Sequence, residues 1–272
     1  SYSYEWSCSV LGYDGNSYQI DNGLHFTDVM KELVKASCPN LTVKSDFFQI
    51  NPDNISGTNY VTNKASRVNN IIVFQKSDVK RPNVSGNASK LEISLEKMLE
   101  VLKTMFNVRW RVEGNFFRLE HISYFQKNNG FNITTSALKK YFVGKRIYTY
   151  ESEKTPQKEV FDWKEKGENP DWKVEVEYSG CVTNKKDNIK SYVLDDVMTD
   201  IVYAMANPDP DSNKVDDQGF VLVSTKKINN EYFINTENSP NGSRLNNVFA
   251  FAQLFRDYQY YERPMKRGKV NG

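Results

Sequence analysis

At 272 residues the chain is long enough for two or three small domains with real cores. Thirty-six Lys and Arg against thirty-four Asp and Glu leave a net charge of +2, which excludes a general pull toward nucleic acid or anionic membrane, so neither is an expected partner. Three cysteines (Cys8, Cys38 and Cys181) form neither a disulfide framework nor a metal-ligand spacing, and an aromatic content of 13% favours strand-rich modules and contact surfaces.

The opening SYSYEW alternates like a strand. Phe26, Val29, Met30 and Leu33 then make the stripe of an amphipathic helix, with Cys38 expected as a buried thiol near its end. LTVKSDFFQI (Leu41–Ile50) has the shape of a hairpin and is followed by an Asn- and Ser-rich loop and a short apolar strand, IIVF (Ile71–Phe74). A connector carrying Pro82 and Gly86 leads to a second unit. There Leu91 and Ile93 alternate as a strand, Ser94 suits an N-cap, and Leu95, Met98, Leu99, Leu102, Met105 and Phe106 form a helical stripe.

In WRVEGNFFRL (Trp110–Leu119) the Gly114-Asn115 pair suits a two-residue primed turn, which fixes the register. Val112 then faces Phe117 and Trp110 faces Leu119 on an apolar face, with Arg109 opposite Glu120 and Arg111 opposite Arg118 on a charged one. Adding 69 to the first unit's numbers maps Phe26 to Leu95, Leu33 to Leu102, Leu41 to Trp110 and Ile50 to Leu119 without a gap, so a structural repeat is expected.

Beyond Tyr124 a short helix is expected at Ser136–Phe142, then strands at KEVFDW, WKVEVEYSGCV and KSYVLDDV. GFVLVST and EYFINT make a hairpin with Asn229-Asn230 near its tip. A last helix runs from near Ser243 to before Pro264, with one apolar stripe of Leu245, Val248, Phe249, Ala252 and Phe255 and a second of Phe251, Leu254, Tyr258 and Tyr261. The second stripe predicts a helix sandwiched within the chain or a subunit contact, and makes Phe251, Leu254, Tyr258 and Tyr261 contact candidates. The fold class expected is α+β: strand-helix-hairpin modules over 1–75 and 76–147, then a β-rich domain with a C-terminal helix over 148–272. Both ends read as parts of a longer polypeptide.

Chemistry is sparse. His121 falls opposite Val108 on the apolar side of the hairpin, where a hydrogen-bonded, partly buried imidazole is expected. No zinc spacing, nucleophile elbow or phosphate loop is present, so no catalytic residue, cofactor or metal site is expected. Asp209, Asp211 and Asn213 begin like a calcium loop, but Lys214 and Phe220 stand where the EF-hand needs Gly and Glu. FDWKEKGENPDW, with Trp163 and Trp172 flanking four acids, is the most sugar-like stretch, and its plainer reading is a solvated acidic loop. Arg111 opposite Arg118 marks a candidate contact with an acidic partner, unless Glu113 and Glu120 relieve the repulsion. VFAFAQLF is the longest apolar run and too short to span a bilayer.

The run LEISLEKMLEVLKTMFNVRWRVEGNFFRLEHISYF, with FQKSDVKRP and GKVNG, resembles the large tail proteins of phages and prophages of Bacteroidota. Through them it is similar to the hub proteins of contractile tails, baseplates and type VI spikes. That resemblance implies a structural protein of the virion tail, assembled in the bacterial cytoplasm, contacting other tail and baseplate proteins, and a homo-oligomer such as a trimer. The helix-then-hairpin phrase is also similar to the short N-terminal domain of secretins and TonB-dependent receptors, which implies periplasmic protein contacts. A host-surface carbohydrate-binding or glycan-degrading module around Trp163 and Trp172 is the reading from another class.

Overall fold

The computed structural model describes residues 8–11, 19–50, 68, 70–80, 91, 93–126, 156, 158–164, 173–177, 189–194, 219–229, 231–234 and 249–259. In chain order the elements are β1 (Cys8–Leu11), β2 (Gln19–His25), α1 (Phe26–Ser37), β3 (Thr42–Lys44), β4 (Ile71–Gln75), α2 (Lys76–Lys80), α3 (Leu95–Phe106), β5 (Val108–Glu113), β6 (Phe116–His121) and α4 (Ile122–Gln126). Then follow β7 (Lys158–Trp163), β8 (Val174–Glu177), β9 (Ile189–Leu194), β10 (Phe220–Ile228), β11 (Glu231–Ile234) and α5 (Phe251–Leu254), which runs into a π-helical turn, Phe255–Gln259. Helices and sheets share one chain in an α+β arrangement.

Five strands close a barrel in the order β1-β11-β10-β4-β2, with β1 antiparallel to β2 and parallel to β11. Its interior is filled by Ile20, Ile72, Phe74, Val79, Val221, Val223 and Ile234. The alternate residues Ile71, Val73, Phe220 and Leu222 join a larger core outside the barrel. Burial on both faces is why IIVF and FVLV read as unbroken apolar runs. At Gly23 of β2 a Cβ would lie 2.5 Å from Ile72 and 2.6 Å from Phe74, so only glycine permits the approach.

A second sheet, β3-β6-β5, carries α1 and α3, which also touch each other. The helices are the most regular part of the repeat: both are 12 residues long and start at positions 69 apart. Ser94 caps α3 by accepting the Lys97 N–H at 3.2 Å, and Asn107 ends it in a left-handed conformation (φ 52°). Cys38, expected as buried, is half-buried with a free thiol at the end of α1.

The hairpin of the second unit has the predicted register, from Val108↔His121 to Glu113↔Phe116, around Gly114 at φ 58°. The expected hairpin of the first unit does not form. Ser45 stands where the second unit has Gly114 and brings a Cβ to the position that needs positive φ. The chain instead makes a wider turn closed by the Ser45↔Ile50 bridge, with Gln49 at φ 56°. Phe47 and Phe48 enter the core from that turn, and β3 pairs in parallel with β6. Leu91 and Ile93, read as a strand, pack on the core without a sheet partner among the described residues.

The third sheet, β8-β7-β9, pairs β7 antiparallel to β8 and parallel to β9. Phe161, Trp163 and Leu194 join it to the larger core, where Phe161 and Trp163 meet Phe251 of α5. Strand pairing crosses the boundaries expected near residues 75 and 147, since β4 pairs with β10 and β1 with β11. The β10–β11 hairpin is as read, with Ile228 opposite Glu231 and Asn229 at φ 48°. The predicted helix at Ser136–Phe142 and the calcium-like loop lie outside the described residues.

Candidate protein-contact surface

β5 lies at the edge of its sheet, with β6 as its strand partner. Val108, Trp110 and Val112 share the face on which α3 packs, but the helix covers only the first part of it. Val108 is buried, whereas Trp110 is 52% and Val112 53% exposed. Trp110 is held flat on Phe117, ring centroids 5.1 Å apart and 16° from parallel. Beside it runs an open groove of about 560 Å³ between α3 and the strand, floored by Leu95, Leu99, Val108 and Leu119 and edged by Glu96, Glu100, Lys103 and Arg109. The sequence placed Trp110 on an apolar face; it gave no sign that α3 stops short of covering it.

The opposite face is a closed ionic cluster. Glu113 accepts hydrogen bonds from Arg111 Nε at 2.5 Å and Arg118 Nε at 3.1 Å, so it bridges the two like charges. Burial pushes its carboxyl up, but the bonds and charges of both arginines outweigh that and leave its pKa below the usual value. Arg118 also donates to Glu120 at 3.1 Å and lies over the Tyr124 ring, while Arg111 lies over Phe125. The expectation that Glu113 and Glu120 relieve the arginine pair therefore matches the geometry.

Glu120 itself is 0% exposed. Its carboxylate accepts the backbone N–H groups of Asp46 at 2.7 Å and Phe47 at 3.0 Å, which pins the wide turn after β3 to β6. Burial dominates and pushes its pKa up to about 7, against those hydrogen bonds and the one from Arg118. Alternation places Glu120 on the charged face of the hairpin, and the partner that covers it is distant in sequence.

His121 is buried and hydrogen-bonded as expected, with Nε2 2.7 Å from the Tyr258 carbonyl and Nδ1 2.8 Å from Ser123 Oγ. A carbonyl only accepts, so Nε2 carries the proton and Nδ1 receives the Ser123 N–H. Burial pulls its pKa down.

Of the last helix's contact candidates, Phe251, Leu254 and Tyr258 are covered by this same chain. Phe251 packs on Trp163, and Tyr258 meets Phe47 and Phe106 edge to face. Tyr261 lies outside the described residues. Of the two tryptophans of the sugar-like stretch, Trp163 is 1% exposed with no partner for its indole N–H among the described residues, and Trp172 lies outside them. Asp162 Oδ1 accepts the backbone N–H of Trp163 at 2.9 Å.

A second open edge belongs to β8, whose strand partner is β7. Its Glu175 takes ion pairs from Lys158 and Lys173, each at 2.5 Å, and their hydrogen bonds hold its carboxyl down to about 2. Among the described residues no helix is long and apolar enough to cross a membrane, and no group of three or more His, Cys, Asp or Glu is placed to hold a metal ion. No family model, curated protein or solved structure matches the chain.

Proposed function

We propose that this chain is an assembly protein that works through protein-protein contacts, as a structural component of a phage tail or baseplate hub. The observation that carries the reading is the open edge of β5, where Trp110 and Val112 are more than half exposed on the β5–β6 hairpin. Exposed tryptophan and arginine on an ordered surface are the residues that contact sites favour. Glu113 already bridges Arg111 and Arg118 within the chain at partly exposed positions, so the edge offers backbone hydrogen-bonding groups, apolar area and exposed charge to a partner. Assembly as a homo-oligomer beside other tail proteins, in the virion, follows from the sequence resemblance.

The test is the mass of the purified chain by light scattering across a concentration series. A discrete oligomer is expected. A strict monomer at every concentration overturns self-assembly.

A further inference from the structure

Two sheet edges in this chain carry matching sequences. β5 reads Val108-Arg109-Trp110-Arg111-Val112-Glu113, and β8, with the residue before it, reads Lys173-Val174-Glu175-Val176-Glu177. Each is the outer strand of a three-stranded sheet. Both alternate apolar and charged residues, one with arginines where the other has glutamates.

We propose that β8 of one copy of this chain adds antiparallel to the open edge of β5 of a second copy, a contact that rests on the assembly reading above. With Arg111 opposite Glu175, Arg109 meets Glu177 and Glu113 meets Lys173, while Trp110 meets Val176 and Val112 meets Val174. All five positions are matched in charge or in apolarity. A slip of two residues in one direction sets Glu113 against Glu175, and in the other Arg111 against Lys173. The parallel arrangement about the same central pair sets Arg109 against Lys173 and Glu113 against Glu177. Among the antiparallel registers the charges therefore select one.

The backbone of β5 is ready for such a neighbour. The pair that closes a two-residue turn exchanges both hydrogen bonds, so Glu113, Arg111 and Arg109 bond to β6. The N–H and C=O groups of Trp110 and Val112 then point to the open side. The pairs Arg111–Glu113 and Lys173–Glu175 each lie along one edge, at partly exposed positions. Such pairs hold weakly in water, and both are kept in the four-charge cluster that docking creates. Because β5 and β8 are different surfaces, each copy offers one of each, and the contact propagates head to tail and yields a discrete oligomer when it closes into a ring.

Two charge-swapped chains test this. Arg109→Glu with Arg111→Glu sets acid against acid at the contact, and Glu175→Lys with Glu177→Lys sets base against base. Each variant alone is expected to self-associate at least about tenfold more weakly than the parent by light scattering, with circular dichroism and thermal melting showing a retained fold. An equimolar mixture places acid against base at every contact and regains the parent's association. Val112→Pro, which removes an outward N–H and no bond to β6, gives the same loss without a change of charge. If the parent associates but neither the swaps nor the proline weaken it, or if the mixture stays dissociated, the β5–β8 contact is overturned and assembly uses another surface. If the parent is a strict monomer, the contact and the assembly reading fall together.

Discussion

Glu120 shows how a single side chain ties distant segments together. It joins the turn at Asp46 and Phe47 to Arg118 in a site closed to water. Its pKa lies above the usual 4.5, so the folded chain keeps this proton where the unfolded chain has lost it. The resulting stabilisation is full below pH about 4.5 and is lost as pH rises through about 7. His121, shifted downward, acts in the opposite sense: its contribution is present above pH about 6.5 and is lost as pH falls. In Glu120→Gln the fall in stability between pH 4.5 and 7 should flatten by on the order of 3 kcal/mol relative to the parent, read from chemical unfolding at several pH values. Parallel pH profiles for the two proteins would show that Glu120 does not titrate in that window. Trp163 offers a second case, a buried ring whose indole N–H has no partner among the described residues. Trp163→Phe should cost less than about 1.5 kcal/mol, because loss of the unpaired donor offsets lost packing. A cost above about 3 kcal/mol would mean that the N–H is paired. Neither environment was legible in the sequence, since alternation reports which face a residue takes and not what covers that face.

At the scale of elements, locally encoded features were readable. The β5–β6 register follows from Gly114-Asn115, the α3 start from Ser94, and the two matched helices from their apolar spacing. The same pattern misled at Leu41–Ile50, where the apolar spacing of a hairpin is kept but the glycine is not. Phe47 and Phe48 occupy a turn there because Glu120 supplies hydrogen bonds that a local reading does not contain. β2 makes a comparable demand at Gly23, where a methyl group would overlap Ile72 and Phe74 on the neighbouring strand. Gly23→Ala should therefore destabilise the chain by about 1–3 kcal/mol through overpacking, seen as a lower denaturation midpoint with an unchanged slope. An unchanged midpoint would mean that β4 moves aside freely.

At the scale of the whole molecule, the last helix belongs to the interior. Phe251, Leu254 and Tyr258 lie in the core that also holds α1, α3 and β7. Tyr258→Asp should accordingly abolish the cooperative melt, since it buries a charge among Phe47, Phe106 and His121. A folded variant that merely fails to assemble would return the helix to the surface. The two stripes on that helix were visible in the sequence, but the choice between interior and subunit contact was not, because both coverings require the same apolar spacing. The closed barrel was less visible still, because Val10 and Tyr232 become neighbours only when segments far apart in the chain meet. That closure has a consequence during synthesis. At about 5–20 residues per second, a ribosome takes on the order of 7–30 s to deliver β10 after the IIVF strand has been made. Throughout that interval the IIVF strand has no β10 beside it, and an unpaired apolar strand is a template for pairing with other nascent chains. Expression temperature and translation speed should therefore govern how much chain escapes aggregation, even in variants whose finished fold is equally stable.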